Sequence, residues 1–108
     1  MQEAYRKVSF KEAKDIMDSA QPSVLLDVRT EQEYIVEHAE GAVLFPLDEI
    51  NPDTAARTIP DKDTAALVYC RTGRRSKMAA DMLVRLGYTQ VRDIGGLEGW
   101  PYGRDFGI

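Results

Sequence analysis

The chain has 108 residues, 44% hydrophobic and 30% charged, enough for one domain burying roughly 65% of its unfolded surface without cross-links. A net charge of −4 and a pI near 4.9 argue against nucleic acid or an anionic membrane as partner, since both select a net basic face. One cysteine forbids an internal disulfide, and with a single histidine it cannot complete a four-ligand zinc site, so neither a metal nor a cofactor is expected.

Residues 1–20 offer no apolar run, because Arg6, Lys7, Lys11, Glu12, Lys14 and Asp15 interrupt them. No signal segment or membrane span is expected there, and a free thiol suits a reducing, cytoplasmic setting. A brief strand is predicted near Lys7-Val8. Ser9 and Glu12 then form a capping box that opens a helix over Phe10 to Ser19. Its apolar face is Phe10, Ala13, Ile16 and Met17, while Lys11, Asp15 and Asp18 point to water; Gln21-Pro22-Ser23 closes it.

Val24 to Arg29 is a nearly continuous apolar run ended by charges, the pattern of a strand covered on both faces in a parallel sheet. Thr30 and Glu33 form a second capping box, with a short helix to about Glu37. Asp27 and Arg29 therefore fall at the carboxyl end of a strand, where open α/β sheets bind ligands. A salt bridge tying down the loop is the simpler reading of this pair, and a direct chemical role is the alternative.

His38 to Ala42 reads as a turn into a strand over Val43 to Leu47, with one helical turn at Asp48 to Asn51. His38 is expected to brace the turn through a hydrogen bond rather than act as a base. A short helix at Thr54 to Thr58 should pack through Ala55 and Ile59.

The run Ala65 to Tyr69 predicts a buried strand, and helical spacing resumes at about Ser76 with Ala79, Met82, Leu83 and Leu86 inward and Gly87 as the stop. Between them lies Cys70-Arg71-Thr72-Gly73-Arg74-Arg75-Ser76. A strand that re-enters a helix so soon leaves backbone N–H groups turned inward at the positive end of the helix dipole, a cradle for a negative charge. Gly73 supplies the backbone freedom that such a turn needs. A lone cysteine after an apolar strand is commonly a small buried hydrophobe. Here residues 70–77 also hold Arg71, Arg74, Arg75 and Lys77 and no acid. Helix termini and nearby cations favour thiolates, so an anion-binding nucleophile at the mouth of the cradle is the better reading. Tyr88 to Asp93 is predicted as the last strand, with Val91 and Ile94 inward, before a glycine-rich turn that buries Trp100. Strands alternating with helices give an α/β fold with right-handed crossovers.

From Val8 to Trp100 the chain resembles a rhodanese domain. The likeness rests on Leu26-Asp27-Val28-Arg29 followed by Glu33-Tyr34, on His38 to Ala42, on Tyr69 to Ser76, and on Gly95-Gly96 with Trp100, in that order. It implies a three-layer α/β fold, a five-stranded, mainly parallel sheet flanked by helices on both faces. The domain core would span about 6–102, with a short tail at 103–108. It also implies that Cys70 takes a sulfur from a small anionic donor such as thiosulfate and passes it to cyanide or a thiol, including a protein thiol. The backbone of Arg71, Thr72, Gly73, Arg74, Arg75 and Ser76 would hold the anion, and Arg71, Arg74 and Arg75 would attract and orient the donor. Asp27 and Arg29 would support the site.

Two other readings stand beside this one. The domain is alternatively a sulfur-relay or binding module for a specific protein. The related phosphatases and arsenate reductases share the fold and the cysteine loop, but place five residues between cysteine and a phosphate-gripping arginine. Here that position is Ser76, Arg75 comes one place early, and Tyr69 stands where those enzymes usually have histidine.

Overall fold

The computed structural model describes residues 5–107. In chain order the elements are β1 (Arg6–Lys7), α1 (Phe10–Asp18), β2 (Ser23–Asp27), α2 (Glu31–Val36), β3 (His38–Ala39), β4 (Val43–Leu44), a 3₁₀ turn (Leu47–Glu49), α3 (Pro52–Thr58), β5 (Ala65–Cys70), α4 (Arg74–Arg85), β6 (Val91–Gly96) and β7 (Arg104–Asp105). Five strands form one sheet in the order β1-β6-β5-β2-β4, every pair parallel. β5 is its middle strand and is buried at all six positions, which is why it reads as an unbroken apolar run.

Alternation along β5 divides the core. Ala66, Val68 and Cys70 face a cluster with Ala55 and Ile59 of the α3 region and Ala79, Ala80 and Leu83 of α4. Leu67 and Tyr69 face the other cluster, where Ala13 of α1 packs with Leu97 and Trp100 and with the half-buried Phe10 and Tyr34. Helices therefore cover both faces of the sheet. The capping boxes at Ser9/Glu12 and Thr30/Glu33 both form, and Asn51 with Thr54 makes a third that starts α3 at Pro52.

Several boundaries move for identifiable reasons. β4 stops at Leu44 instead of Leu47, because Pro46 has no N–H for the ladder and the 3₁₀ turn follows at once. α4 starts at Arg74 rather than Ser76, because Gly73, at φ 92°, itself serves as the N-cap. β6 starts at Val91 rather than Tyr88: the Tyr88 N–H instead caps α4 at the Leu83 carbonyl, and its hydroxyl donates to the Ile59 carbonyl. The segment expected as a tail contains β7, which pairs antiparallel to β3 at His38 to Asp105 and Ala39 to Arg104. Among the described residues no helix is long and apolar enough to cross a membrane.

β2 leads outward to the edge strand β4, whereas β5 leads toward β6 on the other side. The reversal opens a crevice at the carboxyl ends of β2 and β5, the position from which parallel sheets bind ligands. Asp27 ends β2 and Cys70 ends β5.

Candidate active site

β5 continues through Cys70, which pairs with Gly96 of β6, so the thiol still points into the sheet face covered by α4. Cys70 is consequently 0% exposed, against the expectation that it sits at the mouth of the cradle. The extra residue of strand puts it one step behind the loop. Of the loop amides expected to turn inward, the Gly73 N–H reaches Sγ at 2.9 Å, at the N-terminus of a 12-residue helix. Ser76, fully buried, donates its hydroxyl to the Gly73 carbonyl at 3.1 Å and so braces the turn from inside.

The loop rests on the end of β6. Asp93 accepts from the Gly95 N–H at 2.9 Å, Ile94 is the extra residue of a bulge opposite Val68–Tyr69, and the Leu97 N–H donates to the Cys70 carbonyl at 2.9 Å. Gly96 is needed here because a Cβ at this position would lie 2.6 Å from the Arg71 carbonyl oxygen. Gly73 approaches the same floor, its notional Cβ 3.5 Å from the Gly95 Cα.

Asp27 and Arg29 form a buried tie between elements. Arg29 Nε and Nη2 grip the Asp27 carboxylate at 2.7–3.1 Å, and the Arg29 N–H closes onto Oδ1 at 2.9 Å. The Tyr69 hydroxyl donates to Asp27 Oδ2 at 2.7 Å and accepts from the Ala39 N–H at 3.0 Å, while Arg29 Nη2 donates to the Glu37 carbonyl. One cluster thus joins β2, β5, β3 and the end of α2. Burial works against the Arg29 charge, but hydrogen bonds to Asp27 outweigh it and hold the guanidinium above its usual range. Burial, then the bond to Asp27, raises the Tyr69 phenol far above its ordinary value. The simpler reading of the Asp27–Arg29 pair describes what these contacts do.

The four cations of the loop region separate into two kinds. Arg71, Arg74 and Lys77 are exposed and, among the described residues, have no carboxylate partner. Arg75 is forked onto Glu33 of α2, Nη1 to Oε1 at 2.7 Å and Nη2 to Oε2 at 3.0 Å. It is therefore turned to a carboxylate and is not presented singly to an incoming anion. That bond, helped by Thr30, draws the Glu33 carboxyl down to about 2, and Glu33 in turn raises Arg75.

Beside the loop lies an open cleft of about 830 Å³ whose lining includes Arg29, Glu33, Arg71, Thr72, Leu97 and Arg104. Arg104 is held there by Glu37, Nη1 to Oε1 at 2.6 Å, and by the Leu97 carbonyl at 3.1 Å. His38 lies apart from this constellation. Its ring stacks on Tyr34 at 3.6 Å, and Nδ1 is 2.9 Å from the Tyr34 carbonyl, which can only accept. It braces its turn, as expected.

Beyond its helix cap and its place in the Glu33-Tyr34 motif, Glu33 carries no sequence sign of an ion pair, because its partner lies 42 residues away. Arg104 falls in a segment with no apolar periodicity. Asp93 carries a local signal that went unused: an acid two residues before Gly95-Gly96 marks a side chain able to close a turn onto a backbone N–H.

Comparison with known proteins places this geometry among relatives. Residues 9–101 match the family model described as Rhodanese-like domain. The thiosulfate sulfurtransferase PspE of Escherichia coli is 41% identical over 73 residues, spanning 68% of this chain and 69% of that protein. A solved rhodanese with anions from E. coli superposes with a TM-score of 0.73 at 36% identity, covering 79% of this chain and 99% of that one. The adenylyltransferase and sulfurtransferase UBA4 of Candida albicans is 33% identical over 87% of this chain, which spans only 23% of UBA4.

Proposed function

Since the chain belongs to the rhodanese-like domain family, we propose that it is a thiosulfate sulfurtransferase that carries sulfur as a persulfide on Cys70. The observation that carries this reading is the Gly73 N–H directed at Cys70 Sγ from the start of α4. A donor amide and a helix terminus at that point stabilise an anionic sulfur whether or not a second atom is attached. The thiolate attacks the outer sulfur of thiosulfate, and a new S–S bond forms as the old one breaks. Sulfite leaves with the bonding pair, and Cys70 is left as Cys–S–S⁻. Cyanide or a thiolate then attacks the outer sulfur and takes it as thiocyanate or a new persulfide, returning the Cys70 thiolate. No general base is required.

Arg71 and Arg74, exposed at the loop and without a carboxylate partner among the described residues, would attract the anionic donor, while the Gly73 amide, and with it the backbone of Arg71 to Ser76, would hold it. Asp27 and Arg29 hold the ends of β2 and β5 in register beneath it. Cys70→Ser should abolish thiocyanate formation from thiosulfate and cyanide while leaving the folded circular-dichroism spectrum unchanged. Intact-mass measurement of the parent after thiosulfate should find it heavier by one sulfur atom. Parent activity persisting in Cys70→Ser would overturn the assignment.

A second reading is favoured by the open cleft beside the loop, which Arg71, Thr72 and Leu97 help to line. In that reading the acceptor is a protein thiol delivered on an extended segment, and cyanide is a substitute for it. Competition between cyanide and candidate protein thiols for the loaded persulfide separates the two.

A further inference from the structure

Glu33 holds Arg75, which follows Gly73 by two residues at the start of α4, and the sulfur-transfer cycle above gives Glu33 no task. Its carboxylate is fixed from both ends: Thr30 donates to it through N–H and Oγ1, each at 3.1 Å, and Arg75 grips it bidentately. The pair is mostly shielded, with side-chain exposures of 32% for Arg75 and 26% for Glu33. Glu33 also lines the cleft together with Arg71 and Thr72. The Gly73 N–H that meets Cys70 Sγ lies on the same turn, while Arg71 and Arg74 have no carboxylate partner among the described residues. One of the four cations at the loop is thus already compensated by a carboxylate.

Resting on the sulfurtransferase reading, we propose that Glu33 is a specificity-determining residue: by cancelling the charge of Arg75 at the rim of the cysteine loop, it limits the preference of the site for doubly charged donors over singly charged ones. Thiosulfate is a dianion. A methanethiosulfonate ion carries one charge and undergoes the same step, in which the thiolate takes the outer sulfur and methanesulfinate leaves with the electron pair. Because both donors give the same Cys70 persulfide, the ratio of their kcat/KM values isolates the donor step.

Two variants change the local charge in opposite senses. Glu33→Gln keeps the α2 cap, since Gln serves at this position of a capping box, and leaves Arg75 uncancelled. Arg75→Gln leaves Glu33 uncancelled. At low ionic strength Glu33→Gln should raise the thiosulfate to methanethiosulfonate ratio by roughly 3- to 10-fold, the size expected for one unit charge acting over several ångströms at a protein surface. Arg75→Gln should lower it by a similar factor, and both shifts should shrink near 1 M salt, where screening acts within about 3 Å.

A residue with a merely structural task would slow both donors alike and leave the ratio in place. Ratios unchanged in both variants, or moved in the same direction, overturn the proposal. If Glu33→Gln does not fold, Arg75→Gln decides alone: a fall in the ratio supports the proposal, and no change overturns it. A parent protein that shows no Cys70-dependent turnover of either donor overturns the sulfurtransferase reading itself, which distinguishes that failure from this one.

Discussion

Replacing Gly96 with alanine tests whether the floor beneath the cysteine loop sets activity. The added Cβ would sit 2.6 Å from the Arg71 carbonyl oxygen, 3.3 Å from the Thr72 Cα and 3.4 Å from the Arg71 carbonyl carbon. All three atoms belong to backbone, so no flexible side chain can yield. To restore a tolerable separation of 3.0–3.4 Å, the oxygen must retreat by about 0.4–0.8 Å, taking Arg71–Gly73 with it. The Gly73 N–H that meets Sγ at 2.9 Å lies on the displaced segment. Misplacement on the 1 Å scale costs on the order of 100-fold in rate, whereas overpacking of this kind costs roughly 1–3 kcal/mol of stability. We therefore expect Gly96→Ala to lose about 10- to 100-fold in kcat/KM for thiosulfate, with cyanide turnover as the assay, yet to unfold cooperatively a few degrees below the parent. Gly95→Ala is the control: its Cβ meets nothing within 4 Å, but the residue sits at φ +96°, so its cost falls on stability through backbone strain of about 1–2 kcal/mol. A Gly96→Ala variant with parental kcat/KM would refute the claim that this contact fixes the loop.

Asp27→Ala should destabilise the fold by about 3–5 kcal/mol in denaturant titration, because it leaves the buried Arg29 charge without its partner. Tyr69→Phe removes the donor to Asp27 and strands the Ala39 N–H, for a loss of about 1–3 kcal/mol by the same measurement. The Glu33–Arg75 pair gives a pH signature. Because the folded carboxyl is depressed from 4.5 to about 2, its contribution is complete above about 4.5 and is lost as the pH falls toward 2. For a partly exposed pair this is about 1 kcal/mol, so the stability gap between parent and Glu33→Gln should be present at neutral pH and close on acidification; a gap independent of pH would contradict it.

What the sequence revealed and what it hid follow from the range of the interactions. α1 and α2 were readable because their caps lie within four residues, and β2 and β5 because strands covered on both faces must be apolar throughout. The cysteine loop was readable because a strand, a basic glycine-containing turn and a helix adjoin there. The burial of Cys70 was not, because it depends on whether the strand ends at residue 69 or 70, and Gly96 on a neighbouring strand decides that. Nor was the partnering of Arg75, since a local count of charges cannot register an acid that arrives from α2. The strand at Arg104–Asp105 escaped notice for a related reason: two residues carry no periodicity, and only their partner His38–Ala39 makes them a strand.

The burial of Cys70 and the pairing of Arg75 with Glu33 bear on how the site would work as a carrier. A sulfur carrier must hold an anionic sulfur firmly enough to load it and loosely enough to surrender it, and the nucleophilicity of a sulfur anion falls as its surroundings stabilise it. Four uncompensated cations around a buried persulfide would favour loading at the expense of release. The chain instead places its charges in graded positions. Arg29 is spent on Asp27 within the core, Arg75 on Glu33 at the rim, and Arg104 on Glu37 across the cleft, leaving Arg71 and Arg74 exposed beside the loop. In the proposed cycle the Gly73 amide and the start of α4, dipoles whose reach is short, would stabilise the sulfur, while the exposed charges would meet an approaching donor. That cycle would assign attraction of the donor and retention of the sulfur to different groups, so substitution at Arg71 or Arg74 should alter the one and substitution at Gly73 or Gly96 the other.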